Sequence, residues 1–271
     1  MTTAPEELLA RATRCALAAR GADGPDVAPM VFWWDGAALW MAASAARVHA
    51  AGLRGDPRCA VYVPPLAEGE PGAVAHGSAR VYSLDDPVGL VLHTPVISAA
   101  MAALAARNAG SLLGYVRDAP HLPHRWWPGT RVVLRVPVEH LAGVEPPAVA
   151  AGVAPALPTV VPADVRRAVA GARRLVLAYA DGDLQVTPAV WAAGYRLTTP
   201  PALRPPPGVR AAATLDVAST ARPRRAVGVT VLGTIAPDGH LRPERVTSWH
   251  GFDTATVAVP RPTAGGVTLP D

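Results

Sequence analysis

The hydrophobic positions change period several times along the chain, and the changes predict a β-rich protein with a few helices. PEELLARAT, residues 5–13, repeats at helical spacing, with Leu8, Leu9 and Ala12 on one face. CALAAR then predicts a strand and GADGPD a turn. VAPMVFWWDGAALWMAA predicts two strands joined at Asp35-Gly36, with Met30, Phe32 and Trp34 on one face and Val31 and Trp33 on the other. Ser44 to Leu53 reads as a short helix that Ser44 caps. Asp56-Pro57-Arg58 turns the chain into the strand CAVYV, where Arg58 is expected to pair with Asp56 or a carbonyl. A strand AVAHGSARVYS, a helix around Ile97 to Val116, the loop HLPHRWWPGTR and a strand TRVVLRVPV complete a unit near residue 145.

EPPAVAAGVAPALPTVVP, residues 145–162, has the proline and small-residue content of a linker, and beyond it the pattern restarts with a helix and a strand. Val27-Ala28-Pro29-Met30-Val31 matches Val186-Thr187-Pro188-Ala189-Val190. Trp33 and Trp191 follow at nearly the same offset, and AHGSARV has a counterpart in VLGTIA. These matches predict an internal duplication of one β-rich unit. The copies differ at one place. The first spends 18 positions between Leu39 and Pro57, including the basic helix, and the second only 10 between Leu197 and Pro207. Many short strands and few helices predict two tandem small barrels, a mainly β (α+β) fold, and exclude a parallel βαβ sheet. The expected units are 1–145, a Pro/Ala-rich linker at 146–162, and a degenerate second barrel at 163–271.

Composition narrows the chemistry. All 25 basic residues are arginine, so lysine Schiff-base chemistry and a Walker-type lysine are excluded. A net charge of +4 without long basic runs gives no nucleic-acid footprint. The stretch from Pro87 to Ala106 lacks charge but is broken by His93 and Pro95, so no membrane span is expected. Cys15 and Cys59 sit among apolar residues, and the start has no signal-peptide h-region; both features lead us to expect a reducing cytoplasm.

The order of the strand pair, the Ser-initiated basic helix, Leu53, Asp56-Pro57-Arg58, the strand Cys59 to Val63 and Gly77-Ser78-Ala79 resembles the pyridoxamine 5'-phosphate oxidase-like FMN-binding split β-barrel superfamily. The resemblance covers residues 5–85 best. It implies two split β-barrels and a cofactor phosphate held by a hydroxyl and a basic residue. The family usually places a lysine there; here Arg47 or His49 takes the neighbourhood. It also implies a pair of barrels, which a tandem chain would form within itself as a pseudo-dimer, or with a second chain as a homodimer.

An FMN-like phosphate needs several donors, and Ser44, Arg47 and His49 supply a hydroxyl, a guanidinium and an imidazole. Pro29, Met30 and Val31 are the expected wall for the flavin ring, and Arg80 shares the groove if it alternates with Ser78. Trp127, in the His121–Arg131 loop, and Trp191, from the second half, are expected to cover the site. The expected function is an FMN-dependent oxidoreductase acting on a small organic molecule, with F420 as a close variant. A haem-binding barrel, with His93, His121 or His124 as axial ligand, and a non-catalytic binding barrel are the alternatives.

Overall fold

The computed structural model describes residues 4–44, 48–83, 86–118, 120, 131–147, 155–192, 194–217 and 223–260. A short helix α1 (Pro5–Arg11) leads into the first sheet. Its strands are β1 (Arg14–Gly21), β2 (Gly24–Trp34), β3 (Ala38–Ser44), β4 (Arg58–Val63), β5 (Gly72–Ser78), β6 (Arg80–Tyr82) and β7 (Arg131–Val144). All pairings are antiparallel, in the order β3-β2-β1-β4-β5-β7-β6, and β3 also pairs with β7. That last pairing closes six strands into a barrel. It depends on the length of β7, whose second half pairs with β5 while residues 131–137 pair with β3. Three helices are inserted into this frame: α2 (Val48–Gly55) between β3 and β4, and α3 (Pro87–Arg107) and α4 (Ala109–Asp118) between β6 and β7.

The second sheet repeats the plan. After α5 (Ala163–Val169) come β8 (Arg174–Asp181), β9 (Asp183–Trp191), β10 (Leu197–Thr198), β11 (Arg210–Val217), β12 (Val227–Ile235), β13 (Leu241–His250) and β14 (Asp253–Ala258). The order is β10-β9-β8-β11-β12-β13-β14, in which the first six strands repeat β3-β2-β1-β4-β5-β7, while β14 pairs with the end of β13 and β6 with the start of β7. Registers agree as well as order. Pro29 pairs with Ala16 and Pro188 with Val176; Leu17 pairs with Val61 and Leu177 with Ala213. Counted by register, Trp191 falls at the buried position of Phe32, one place before Trp33, and it fills the second core as Phe32 fills the first.

The two copies share an unusual local device. The β5–β7 ladder slips between His76 and Gly77, and the β12–β13 ladder slips at the same point, between Leu232 and Gly233. A Cβ at Gly77 would lie 2.0 Å from the Pro137 carbonyl oxygen, and one at Gly233 would lie 1.9 Å from that of Arg242. Only glycine lets the strands come this close.

Where the copies differ, one change explains another. In the second copy a tight turn joins β12 to β13, with Ala236 donating to His240 O at 2.8 Å. β13 therefore starts at Leu241, and the first part of β7 has no counterpart. β10 has no long partner and stops at Thr198; the barrel closes there through the single bridge Arg196–His240.

The barrels pack face to face through equivalent surfaces, as a pseudo-dimer within one chain. Ala16, Ala18, Val27 and Ala60 of one sheet meet Ala178, Val186, Ala212 and Leu232 of the other. The buried Thr230 hydroxyl bonds Thr214 at 2.9 Å and, across the seam, Val27 O at 3.4 Å. At its edge Arg14 grips Asp216 at 2.6 Å.

Two expectations need correction, and a third falls partly outside the described residues: Ser44 is the last residue of β3, paired with Arg131, and the described part of the helix that follows begins at Val48. The helix expected from Ile97 is two helices beginning at Pro87, because an apolar surface on the barrel draws in Ile97 and Ala100 and the chain accommodates Pro95 within α3. Ser78 and Arg80 do not share one strand; the ladder breaks at Ala79, whose amide donates to Pro57 O at 2.7 Å. No helix among the described residues is long and apolar enough to cross a membrane.

Gly77→Ala and Gly233→Ala each press a methyl group on a carbonyl of the ladder itself, so each is expected to cost roughly 1–3 kcal/mol. Gly171→Ala, where a Cβ meets nothing within 4 Å, should be near neutral; urea denaturation of the three variants checks the contrast. Arg14→Ala and Asp216→Ala should show a coupling of about 1 kcal/mol in a double-mutant cycle, since the pair is only 33% and 25% exposed. Strictly additive effects would show that the pair does not tie the barrels.

Candidate functional site

A barrel offers a ligand backbone groups only where its ladder opens, and the first barrel opens where β2 and β3 part. These strands pair only over Phe32–Trp34 and Leu39–Met41. Toward its start β2 continues on β1 alone, while β3 runs on to Ser44 on β7 alone. The Phe32 amide donates to Thr13 O at 3.0 Å, which sets the phase of β2. Even-numbered residues bond β1, so the backbone groups of Pro29 and Val31 are directed to the parted side. Proline has no N–H, which leaves the Val31 amide as the donor on that lip.

The side chains follow the same alternation. Met30 packs against the first core, and Pro29 and Val31 turn outward. The opposite lip is Ser44, 9% exposed, with its cross-strand neighbour Arg131, whose guanidinium donates to Ala42 O at 3.2 Å. Arg14 pairs with Val31 across β1–β2, and its ion pair with Asp216 brings the second barrel to this place. Behind the lip, α2 lies close on β1 because Gly52 has no side chain: a Cβ there would sit 2.1 Å from Arg20 O. His49 lies in the first turn of α2.

The structure thus puts Pro29, Met30 and Val31 on one lip and Ser44 on the other. Arg47 and Trp127 lie outside the described residues, as do His121 and His124. Arg80 sits on β6 with its guanidinium 5.1 Å from the Tyr82 ring centre. Tyr82 stacks on Trp40 at 6.3 Å, Arg135 covers Trp40 at 5.6 Å, and His93 of α3 lies 5.5 Å from Tyr82. Arg80 and His93 are therefore engaged in an aromatic stack under α3. Trp191 is buried in the second core, edge-on to Tyr195. Its indole N–H has no hydrogen-bond partner among the described residues.

A second concave region escapes sequence reasoning. A cleft of about 510 Å³ opens along the seam, lined by Arg58, Cys59, His76, Glu139 and His140 of the first barrel and by Asp183 of the second. His76 and His140 face each other across β5–β7, their rings 6.4 Å apart. Burial lowers the His76 pKa below the ordinary imidazole value, the neighbouring His140 adds to the lowering, and Asp183 opposes it. Burial pushes the Cys59 thiol up to about 12, so it is no nucleophile at neutral pH. Arg58 takes the expected partner, Asp56, at 2.9 and 2.8 Å, and this holds the Asp56 carboxyl down at about 2. No group of three described histidine, cysteine or acidic residues is placed to hold a metal ion.

No protein-family model and no curated protein matches the chain. Among solved structures it is similar to an F420 reductase, at 22% identity over 52% of this chain and 98% of that one, with a TM-score of 0.35. It is also similar to a FAD-binding protein from Mesorhizobium loti, at 19% identity over 51% of this chain and 90% of that one, TM-score 0.34. A third likeness is to a haem storage protein from Vibrio cholerae, at 17% identity over 53% of this chain and 96% of that one, TM-score 0.38. The description of this chain as two tandem split β-barrels rests on its own strand order, register and parted strands.

Proposed function

We propose that the chain is an oxidoreductase of the pyridoxamine 5'-phosphate oxidase-like kind, which holds FMN, or the deazaflavin F420, at the parted strands of the first barrel and acts on a small organic substrate. One observation carries this reading: only the first copy extends its third strand past the point of parting and follows it with a basic helix. In the second copy the corresponding strand stops at Thr198.

The donor set fits such a cofactor. A phosphate with nearly two negative charges needs several donors, and this lip carries the Ser44 hydroxyl and the Arg131 guanidinium, with Arg47 and His49 next in sequence. The other lip offers the Val31 amide and outward-facing apolar groups to a flat ring. When bound, the flavin supplies the hydride chemistry. The chain's own residues would anchor the phosphate and set the ring against β2, beside the point where Arg14–Asp216 ties in the second barrel.

Titration of FMN, and separately of F420, into the full chain should quench cofactor fluorescence with saturation. Arg47→Ala removes one charge-assisted contact and is expected to weaken binding about 10- to 100-fold. Arg204→Ala, in the second copy, should leave it unchanged. Absence of binding by either cofactor would overturn the proposed function, and full affinity in Arg47→Ala would overturn the phosphate assignment.

A further inference from the structure

The duplication makes each position of the seam comparable with its counterpart, and one comparison breaks the symmetry. In the second barrel Arg210 of β11 lies 3.0 Å from Glu244 of β13. The Thr234 hydroxyl donates to the same carboxylate at 2.8 Å, and Arg245 pairs with Asp23 in the β1–β2 turn. Counted by ladder register, these positions are Arg58, Glu139, Ser78 and His140 in the first barrel. The arginine and the glutamate are both present there, but they do not pair.

The cause is Asp56. Arg58 turns back to grip both oxygens of this carboxylate, whereas the matching position in the second copy is Gly208 and offers Arg210 no such rival. Glu139 is left with no hydrogen bond or ion pair among the described residues. Asp183, presented from the other barrel by the β8–β9 turn, likewise has none. Between them the seam cleft stays open, while its counterpart is filled by ion pairs. The floor is apolar, with Val74, Val144, Leu184 and Leu203.

The geometry points to a second ligand site in this cleft, which takes a small organic cation: a protonated amine on an apolar body about the size of one ring. The charge balance selects the cation. Asp56 bonds Arg58 and also lies 3.4 Å from Arg20 of β1, so the three carboxylates Asp56, Glu139 and Asp183 outnumber the two guanidiniums, and the rim presents Glu139 and Asp183 beside the His76 and His140 imidazoles. The apolar floor receives the body, and the carboxylates receive the ammonium group. The charged and titratable groups at the cleft and its rim are Arg20 on β1, Asp56 and Arg58 at the start of β4, His76 on β5, Glu139 and His140 on β7, and Asp183 on β9. Protonation of His76, whose pKa burial lowers, adds positive charge beside the carboxylates. Amine affinity is therefore expected to fall as the pH is lowered through the His76 titration. The site shares no residue with the parted strands and does not depend on the cofactor reading.

Benzylamine, titrated into the full chain with NMR observation of the histidine ring signals, tests the site. Benzylamine should shift the His76 and His140 signals with saturation, and benzyl alcohol and benzoate should not. Glu139→Gln should weaken benzylamine about fivefold, the effect of losing one partly exposed charge pair. Asp56→Ala should weaken it comparably, because Arg58 is released to Glu139 as Arg210 is to Glu244. Glu244→Gln should have no effect. The proposal fails if benzylamine leaves both histidines unmoved, if benzyl alcohol binds as tightly, or if Glu139→Gln and Asp183→Asn bind it like the unaltered chain. An Asp56→Ala variant of full affinity would refute the role given to Arg58.

Discussion

The face-to-face packing of the two sheets is the constraint on which the rest of the molecule depends. Each barrel turns the outer face of its first strands toward the other, and the contact is made largely by alanines: Ala16, Ala18 and Ala60 against Ala178 and Ala212. Small side chains bury little area each, but they allow the sheets a close approach over the whole face. The alanine-rich composition, which gives the chain its hydrophobic character with only 5% aromatics, is thereby put to structural use. A large residue at any of these alanines would have to push two closed ladders apart.

A seam built from two copies of one surface would produce two copies of every site along it, unless the copies diverge. Here they diverge by addition in the first barrel and by loss in the second. The insertion of α3 and α4 comes with a long β7, and the long β7 gives β3 a partner beyond its parting from β2. Without that length β10 stops short, and a proline-rich passage takes the place of the basic helix. At the other end of the seam a single acid, Asp56, decides whether an arginine closes a cleft or leaves it open. Both asymmetries set the first barrel apart from its copy along the seam.

Much of this was legible in the sequence where the signal is local. The Asp35-Gly36 hairpin forms as expected, Asp35 accepting the amides of Ala37 and Ala38 at 2.8 and 2.7 Å. The VAPMV and VTPAV runs mark equivalent strands, and the Gly77 and Gly233 pairing follows from the weaker AHGSARV match. What depended on pairing between distant strands was not legible. The cross-strand partner of Ser44 at the end of β3, Arg131, lies far along the chain. His76 and His140 each look like one polar residue in an alternating strand, and only the slipped β5–β7 register sets them opposite each other. Trp191 keeps the pattern of an aromatic at the end of its strand, but register places it in the second core.

One measurement bears most directly on the claim that the duplicated fold carries its cofactor site in one copy only: the number of flavin molecules bound per chain at saturation, by equilibrium dialysis of the full chain against FMN. One flavin per chain is the expected result, with Arg47→Ala needing about 10- to 100-fold more FMN to reach it. Two per chain would contradict the account, since the second barrel would then hold a cofactor without the extended strand and helix on which the site is argued to depend.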